Sequence, residues 1–166
     1  YIEEKSGGRI DVQIFHDSTM GNDTQLTEAL QLGTIEMAGV PTSVLANFSP
    51  DFMALDMPFL YDDRATVYAA LAGEFGDVFF EKLESIGIKG TSWTENAFRN
   101  ISANKPIRTL EDIKGLKIRV MEAPVYLETM KAFGANPTPM AFNELYTGLS
   151  QGTVEGQDNG IILTYT

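Results

Sequence analysis

The sequence contains no cysteine and a single histidine, His16. The first absence excludes disulfides, thiolate metal sites and cysteine nucleophiles. Cysteine-free chains occur in every compartment, so an oxidising one is permitted rather than implied. The second absence leaves few routes to catalysis. His16 stands beside Asp17 and Ser18, but a Ser-His-Asp triad needs side chains converging from distant segments, which three consecutive residues do not supply. There is no Gly-x-Ser-x-Gly elbow, P-loop or Gly-x-Gly-x-x-Gly. No metal-ligand spacing stands out among the acidic residues. The residues read as a protein that is not an enzyme and uses neither a cofactor nor a metal.

Positive charge is also scarce. Lys and Arg number 12 against 23 Asp and Glu, for a formal net charge of −11. A nucleic-acid partner would require a basic footprint to neutralise phosphates, so none is expected. No uninterrupted apolar run approaches the roughly 18 residues of a membrane span. The chain opens Tyr1-Ile2-Glu3-Glu4-Lys5, without the basic start and apolar stretch of a signal peptide. Mature exported chains have lost theirs, so the residues alone leave location open. What is present is ordinary: 43% hydrophobic and 21% charged residues in a chain of 166 suit a globular protein with a real core.

Strand and helix patterns alternate along the chain. Ile10, Val12 and Ile14 alternate with Asp11 and Gln13, predicting a strand over Gly8 to Phe15. Asp23 is expected to cap a helix carrying Leu26, Ala29 and Leu30 and ending at Gly33. Ile35 to Val40 reads as a short strand running into the turn Pro41-Thr42-Ser43. Phe48 to Leu60, with Pro50 and Pro58, is expected to wrap over the core. One long amphipathic helix is predicted from Asp62 or Asp63 to about Ile86, its stripe including Val67, Leu71, Phe75, Val78, Phe79 and Leu83. Ile88 to Trp93 reads as a further strand.

Arg99 to Ser102 is strand-like. Thr109-Leu110-Glu111-Asp112 has the spacing of a capping box. Leu116, Ile118 and Val120 alternate with Lys117 and Arg119, a clear strand. Pro124 suits the first turn of a helix reaching about Phe133. Ala135 to Phe142 must be extended around Pro137 and Pro139. Asn143 is expected to cap a helix with Leu145, Tyr146 and Leu149, and Val154 begins a last strand into Asp158-Asn159. This alternation predicts an α/β fold with a mainly parallel sheet covered on both faces. Ligands of such sheets gather beyond the carboxyl ends of strands. That rule singles out Pro41-Thr42-Ser43, Trp93, the Arg119 to Glu122 segment and Asp158-Asn159.

Three phrases occur in one order: Gly115-Leu116-Lys117-Ile118-Arg119-Val120, then Gly134-Ala135-Asn136-Pro137-Thr138-Pro139-Met140-Ala141-Phe142-Asn143-Glu144-Leu145-Tyr146, then Gly152-Thr153-Val154-Glu155-Gly156-Gln157-Asp158-Asn159. In these the chain resembles the extracytoplasmic solute receptors of TRAP transporters, the DctP family, and the likeness runs through nearly the whole sequence. The resemblance implies a two-lobed, type II-like periplasmic-binding-protein fold, incomplete here at both ends. Residues 1–96 would form part of lobe I, lacking its first strand and helix, and residues 97–166 part of lobe II, lacking its C-terminal return.

It further implies a periplasmic receptor that hands a small organic acid, a sugar acid or a C4-dicarboxylate, to the membrane subunits of a transporter. Arg119 would clamp the ligand carboxylate, with Arg99 assisting. Asn159 would contact the same carboxylate and Phe142 pack on the ligand, while Glu122 would tune its polar end. Trp93 and Thr42 would contribute from the other lobe. This chain carries Asn159-Gly160 where relatives often carry Asn-Pro.

Arg119 is the residue on which these readings turn. A guanidinium meets a carboxylate with two parallel charge-assisted hydrogen bonds. Within an apolar strand it needs a partner, because an unpaired buried charge is costly. On pattern alone that partner is either an acid of the protein or an acid from outside. A sensory module for the same organic acids is the alternative to a transport receptor.

Overall fold

The computed structural model describes residues 1–165; residue 166, the last of the expected second lobe, lies outside them. The first half is helical: α1 (Ile2–Lys5), α2 (Asp23–Leu32), α3 (Thr42–Leu45), a 3-10 helix (Pro50–Asp56), α4 (Arg64–Leu71) and α5 (Glu74–Ser85). The second half alternates: β1 (Arg99–Ala103), α6 (Leu110–Ile113), β2 (Lys117–Val120), α7 (Pro124–Ala132), β3 (Asn136–Pro139), α8 (Phe142–Ser150), β4 (Gly156–Gly160) and α9 (Ile161–Tyr165).

Local chemistry explains most boundaries. Asn22, not Asp23, caps α2: its side chain accepts from the Gln25 N–H at 3.0 Å, and the Gln25 side chain accepts from the Asn22 N–H at 2.9 Å. This reciprocal pair satisfies two of the helix's orphan donors and leaves the Asp23 carboxylate out of the cap. Gly33 ends the helix in the left-handed conformation, φ 69°. Asp63 caps α4 through the Thr66 N–H at 2.8 Å. Asp112 accepts from the Thr109 N–H at 2.8 Å, closing the expected capping box ahead of α6.

Several expected elements take another form. The single helix from Asp62 or Asp63 to Ile86 is two, broken at Ala72-Gly73. Gly73 and Gly76 weaken helix propensity there. The turn is also so tight that a Cβ on Gly76 would lie 2.0 Å from the Leu71 carbonyl oxygen. The expected strands at 8–15, 35–40 and 88–93 form no ladder among the described residues. Ile14 is 81% exposed despite its alternating pattern. Alternation supplies two faces, but a strand exists only where a neighbour takes its backbone hydrogen bonds. Asn143 lies inside α8, which starts one residue earlier at Phe142.

The sheet lies wholly in the second half, in the order β1-β4-β2-β3. The β2–β3 and β2–β4 pairings are parallel and β1–β4 is antiparallel. Pro137 and Pro139 lie on the edge strand β3, where a missing donor is tolerated. Gly156 lets β4 approach β1: a Cβ there would lie 2.4 Å from the Ser102 carbonyl oxygen. On β2, Ile118 and Val120 are fully buried in a cluster with Ile113, Leu116, Tyr126 and Met130. By the strand's period of two, Arg119 points to the opposite face. The helical half has its own cluster of Leu45, Ala46, Phe52, Phe79 and Leu83.

Polar contacts join the halves. Asn47 Nδ2 donates to the Glu122 carbonyl oxygen at 3.0 Å, Ser43 Oγ reaches Met121 Sδ at 3.3 Å, and the Tyr126 hydroxyl donates to Asp56 Oδ1 at 2.7 Å.

Candidate functional site

Arg119 sits between β3 and β4, opposite Thr138 and Gln157, and is 2% exposed. Its Nε–H donates to the Met140 carbonyl oxygen at 2.9 Å, and its guanidinium carbon lies 5.9 Å from the centre of the Phe142 ring. No salt bridge to it forms among the described residues. Burial, and then repulsion from Arg99, push its pKa down to about 10, while Asp158, Glu122 and Asp23 pull it back up. The group therefore remains a cation at neutral pH. It is a buried positive charge holding one neutral acceptor, the state that favours an added carboxylate.

Arg99 is the opposite case. Its Nε–H and Nη2–H donate to the two carboxylate oxygens of Asp158 at 2.7 and 2.8 Å, and Nη2 also donates to the Asp158 carbonyl oxygen. Its other face covers the Tyr126 ring at 4.6 Å. Burial acts to lower the Arg99 pKa, but the Asp158 hydrogen bond and charge outweigh it and the pKa rises.

Two cavities open against Arg119. The smaller is bounded by Asn22, Asp23, Arg119, Glu122 and Phe142 among others. The larger, about 180 Å³, is bounded by Asp23, Pro41, Asn96, Arg119, Phe142 and Asn159 among others. The structure thus brings Arg119, Phe142, Asn159 and Glu122 together. Phe142 reaches the cavities as the first residue of α8, and Asn159 from β4. The Asn159 carboxamide is buried, donating to Gln157 Oε1 at 3.2 Å and accepting from the Gly160 N–H at 2.9 Å. A proline at 160 would have no such N–H to give.

Arg99, Trp93 and Thr42 do not border either cavity. Arg99 is held by Asp158, its nearest buried acid. Trp93 stacks on Phe80 at 4.9 Å and meets Phe79 edge-on, completing the aromatic packing of the helical half. Thr42 donates to Asp56 Oδ1 at 3.0 Å, beside the Tyr126 hydroxyl bound to the same oxygen. Sequence reasoning missed Asp23, read only as a helix cap, although it borders both cavities. The signal lay in Asn22 and Gln25, whose three-residue spacing already accounts for the cap.

Comparison with known proteins gives the family of the chain. The description "Bacterial extracellular solute-binding protein, family 7", DctP, matches residues 1–166. The chain is 36% identical over 166 residues to the 2,3-diketo-L-gulonate-binding periplasmic protein YiaO of Escherichia coli, covering 99% of this chain and 51% of that protein. It is 37% identical over 161 residues to the C4-dicarboxylate-binding periplasmic protein DctP of Rhodobacter capsulatus, covering 95% and 47%. The crystal structure of a TRAP periplasmic solute-binding protein from Polaromonas sp. JS666 bound to D-erythronate superposes with a TM-score of 0.93 at 39% identity, over 98% of this chain and 55% of that one. The chain spans about half the length of the curated relatives it matches. On the family match over the whole chain, the chain belongs to the DctP family, family 7 of the bacterial extracellular solute-binding proteins.

Proposed function

We propose that this chain forms the ligand-capturing part of a periplasmic TRAP-transporter receptor, and that it takes a hydroxylated organic acid by its carboxylate on Arg119. The observation that carries this reading is a buried guanidinium without an acidic partner among the described residues, facing a cavity of about 180 Å³. A free acid enters while the lobes are apart. Its carboxylate pairs with Arg119, Asn159 adds a hydrogen bond, and Phe142 covers the apolar side of the ligand. Closure excludes water, which strengthens the ion pair and favours the closed state. The closed form then docks on the transporter's membrane subunits. No described helix is long and apolar enough to cross a membrane itself.

The division near residues 95–98 into two lobes fits the two separate hydrophobic clusters, and the cavities fall where their elements meet. Arg99 has a supporting part in this scheme, fixing β1 to β4 and so the position of Asn159. Trp93 completes the aromatic packing of the first lobe, and Thr42 holds Asp56, which also binds Tyr126 of the second. Glu122 favours a sugar acid over a C4-dicarboxylate, since a carboxylate accepts hydroxyl hydrogen bonds and repels a second acid. Relatives of both ligand types occur by name, while nothing observed favours a sensory module.

Replacing Arg119 by Ala in the full-length protein removes one member of a buried charge pair. The expected loss is at least about 2 kcal/mol, or some 30-fold in Kd. Calorimetry with D-erythronate measures it, and an unchanged Kd would refute the clamp.

A further inference from the structure

Asn159 and Gly160 form the one Asn-Gly pair in the sequence. Such a pair is self-reactive: the backbone nitrogen after an asparagine attacks the side-chain carboxamide, and glycine, having no side chain, obstructs the approach least. A strand ordinarily suppresses the reaction, because ladder hydrogen bonds hold that nitrogen in place. Here the ladder leaves it free. The Asn104 N–H donates to the Glu155 carbonyl oxygen at 3.0 Å, a hydrogen-bonded rung between the chains of β1 and β4. Bonded and unbonded rungs alternate along an antiparallel pair, so Asn100–Asn159 is bonded and Arg99–Gly160, at the end, is not. On the other side, the pairing of β4 with β2 ends at Arg119–Gln157. The Gly160 N–H donates instead to the side chain just before it, Asn159 Oδ1, at 2.9 Å.

The surroundings fit the same chemistry. Asn159 borders the cavity of about 180 Å³ together with Arg119. A guanidinium on that cavity favours the negative charge that grows on Oδ1 as the carboxamide is attacked. The cavity also gives water a way to the product. Asn159 Nδ2, the atom that leaves as ammonia, is held only by Gln157 Oε1, at 3.2 Å. Gly160 is the last residue of β4, where the chain turns into α9, so the backbone can adjust there without opening the rest of the sheet.

We propose that Asn159 is a site of spontaneous deamidation, and that the modification switches off acid capture. The Gly160 nitrogen bonds to Asn159 Cγ, the Cγ–Nδ2 bond breaks, and ammonia leaves with the proton that the Gly160 nitrogen gives up. Water then adds to either carbonyl carbon of the cyclic imide and leaves an aspartyl or isoaspartyl residue at position 159. A neutral carboxamide has become a carboxylate on the cavity of Arg119, a guanidinium with no acidic partner among the described residues. The new acid takes that place and repels an incoming one. In the isoaspartyl form the backbone also runs through an extra methylene, which displaces the end of β4 from β1. The reaction itself stands on the Asn159–Gly160 geometry, while its effect on capture rests on the clamp proposed for Arg119.

The test incubates the full-length protein without ligand at mildly alkaline pH and follows every asparagine by peptide mapping with mass spectrometry. Position 159 should turn acidic before the other asparagines of the chain. The deamidated fraction, separated by ion exchange, should bind D-erythronate at least about tenfold more weakly in calorimetry, and Asn159→Asp should bind as weakly. Blocking the attack at position 160 is unsuitable, since a Cβ there would lie 2.2 Å from the Asn96 carbonyl oxygen. The control is Asn159→Gln, whose side chain closes a larger, less favoured ring and whose binding should not decay with time. Should that variant fail to fold or bind, the mapping and the separated fraction decide by themselves. A position 159 that stays an amide or lags behind other asparagines overturns the inference, as does a deamidated fraction that binds like the untreated protein. Either result beside weakened binding in Arg119→Ala leaves the clamp standing, whereas unchanged binding in Arg119→Ala removes the clamp and the switch together.

Discussion

Two arginines lie within one small sheet, and the protein treats them differently. On the edge strand β1, Arg99 is closed on both sides, by the Asp158 carboxylate and by the Tyr126 ring. On the inner strand β2, Arg119 is the more deeply buried of the two, yet among the described residues it holds only a backbone carbonyl and lies over the Phe142 ring. Burial without a counter-ion is costly, and the clamp proposed for Arg119 would offset that cost. The pair teaches that depth alone does not mark a structural charge. What marks it is whether the protein supplies the opposite charge.

The comparison is broken most severely at Arg99. Arg99→Ala should cost about 3–5 kcal/mol of unfolding free energy, because it strands Asp158, whose side chain is 5% exposed, without its partner. Urea denaturation measures this, and a loss below about 1 kcal/mol would mean that Arg99 is no more a structural ion pair than Arg119. The complementary change, Arg119→Met, should leave the fold as stable or raise it by about 1 kcal/mol or more, since it removes an uncompensated buried charge while filling similar space. A marked fall in melting temperature would show that Arg119 is held for stability instead.

A smaller effect concerns Asp56, which ties Thr42 of the first half to Tyr126 of the second. Burial raises its pKa above 3.8, although hydrogen bonds from Tyr126 and Thr42 and the charge of Arg99 act against this. The native state then binds the proton more tightly than the unfolded chain. Its contribution to stability is accordingly present below about pH 3.8 and falls as pH rises through the shifted value. Asp56→Asn keeps an acceptor for both hydroxyls and should flatten this part of the curve. Melting temperatures followed from acidic to neutral pH check it, and an identical slope in the variant would exclude Asp56 as its source.

Much of the second half was legible because its signals are local. The alternation around Ile118 and Val120, the Thr109–Asp112 box, Pro124 at a first turn and the prolines of β3 each act within a few residues, and the structure bears each of them out. The first half was less legible for the same reason. Ile10, Val12 and Ile14 alternate as well as any strand, but a ladder needs a second chain segment, and no described residue pairs with them. At the site, the carboxyl ends of the predicted strands pointed to the Arg119 to Glu122 segment and Asn159, while Phe142 and the role of each residue came through a family likeness. Asp23 was passed over because a helix cap explained it well enough.

The sequence by itself determined some helix ends, at Gly33, at Pro124 and at the Thr109–Asp112 box, and which strand carries two buried apolar residues around one charge, because each depends on residue types and short spacings. Only the tertiary structure decided which arginine would be matched by an acid of the protein and which left open. Asp158 meets Arg99 across an antiparallel pairing that joins residues 59 positions apart, and charge neutralisation of that kind depends on distance in space, which no local pattern encodes.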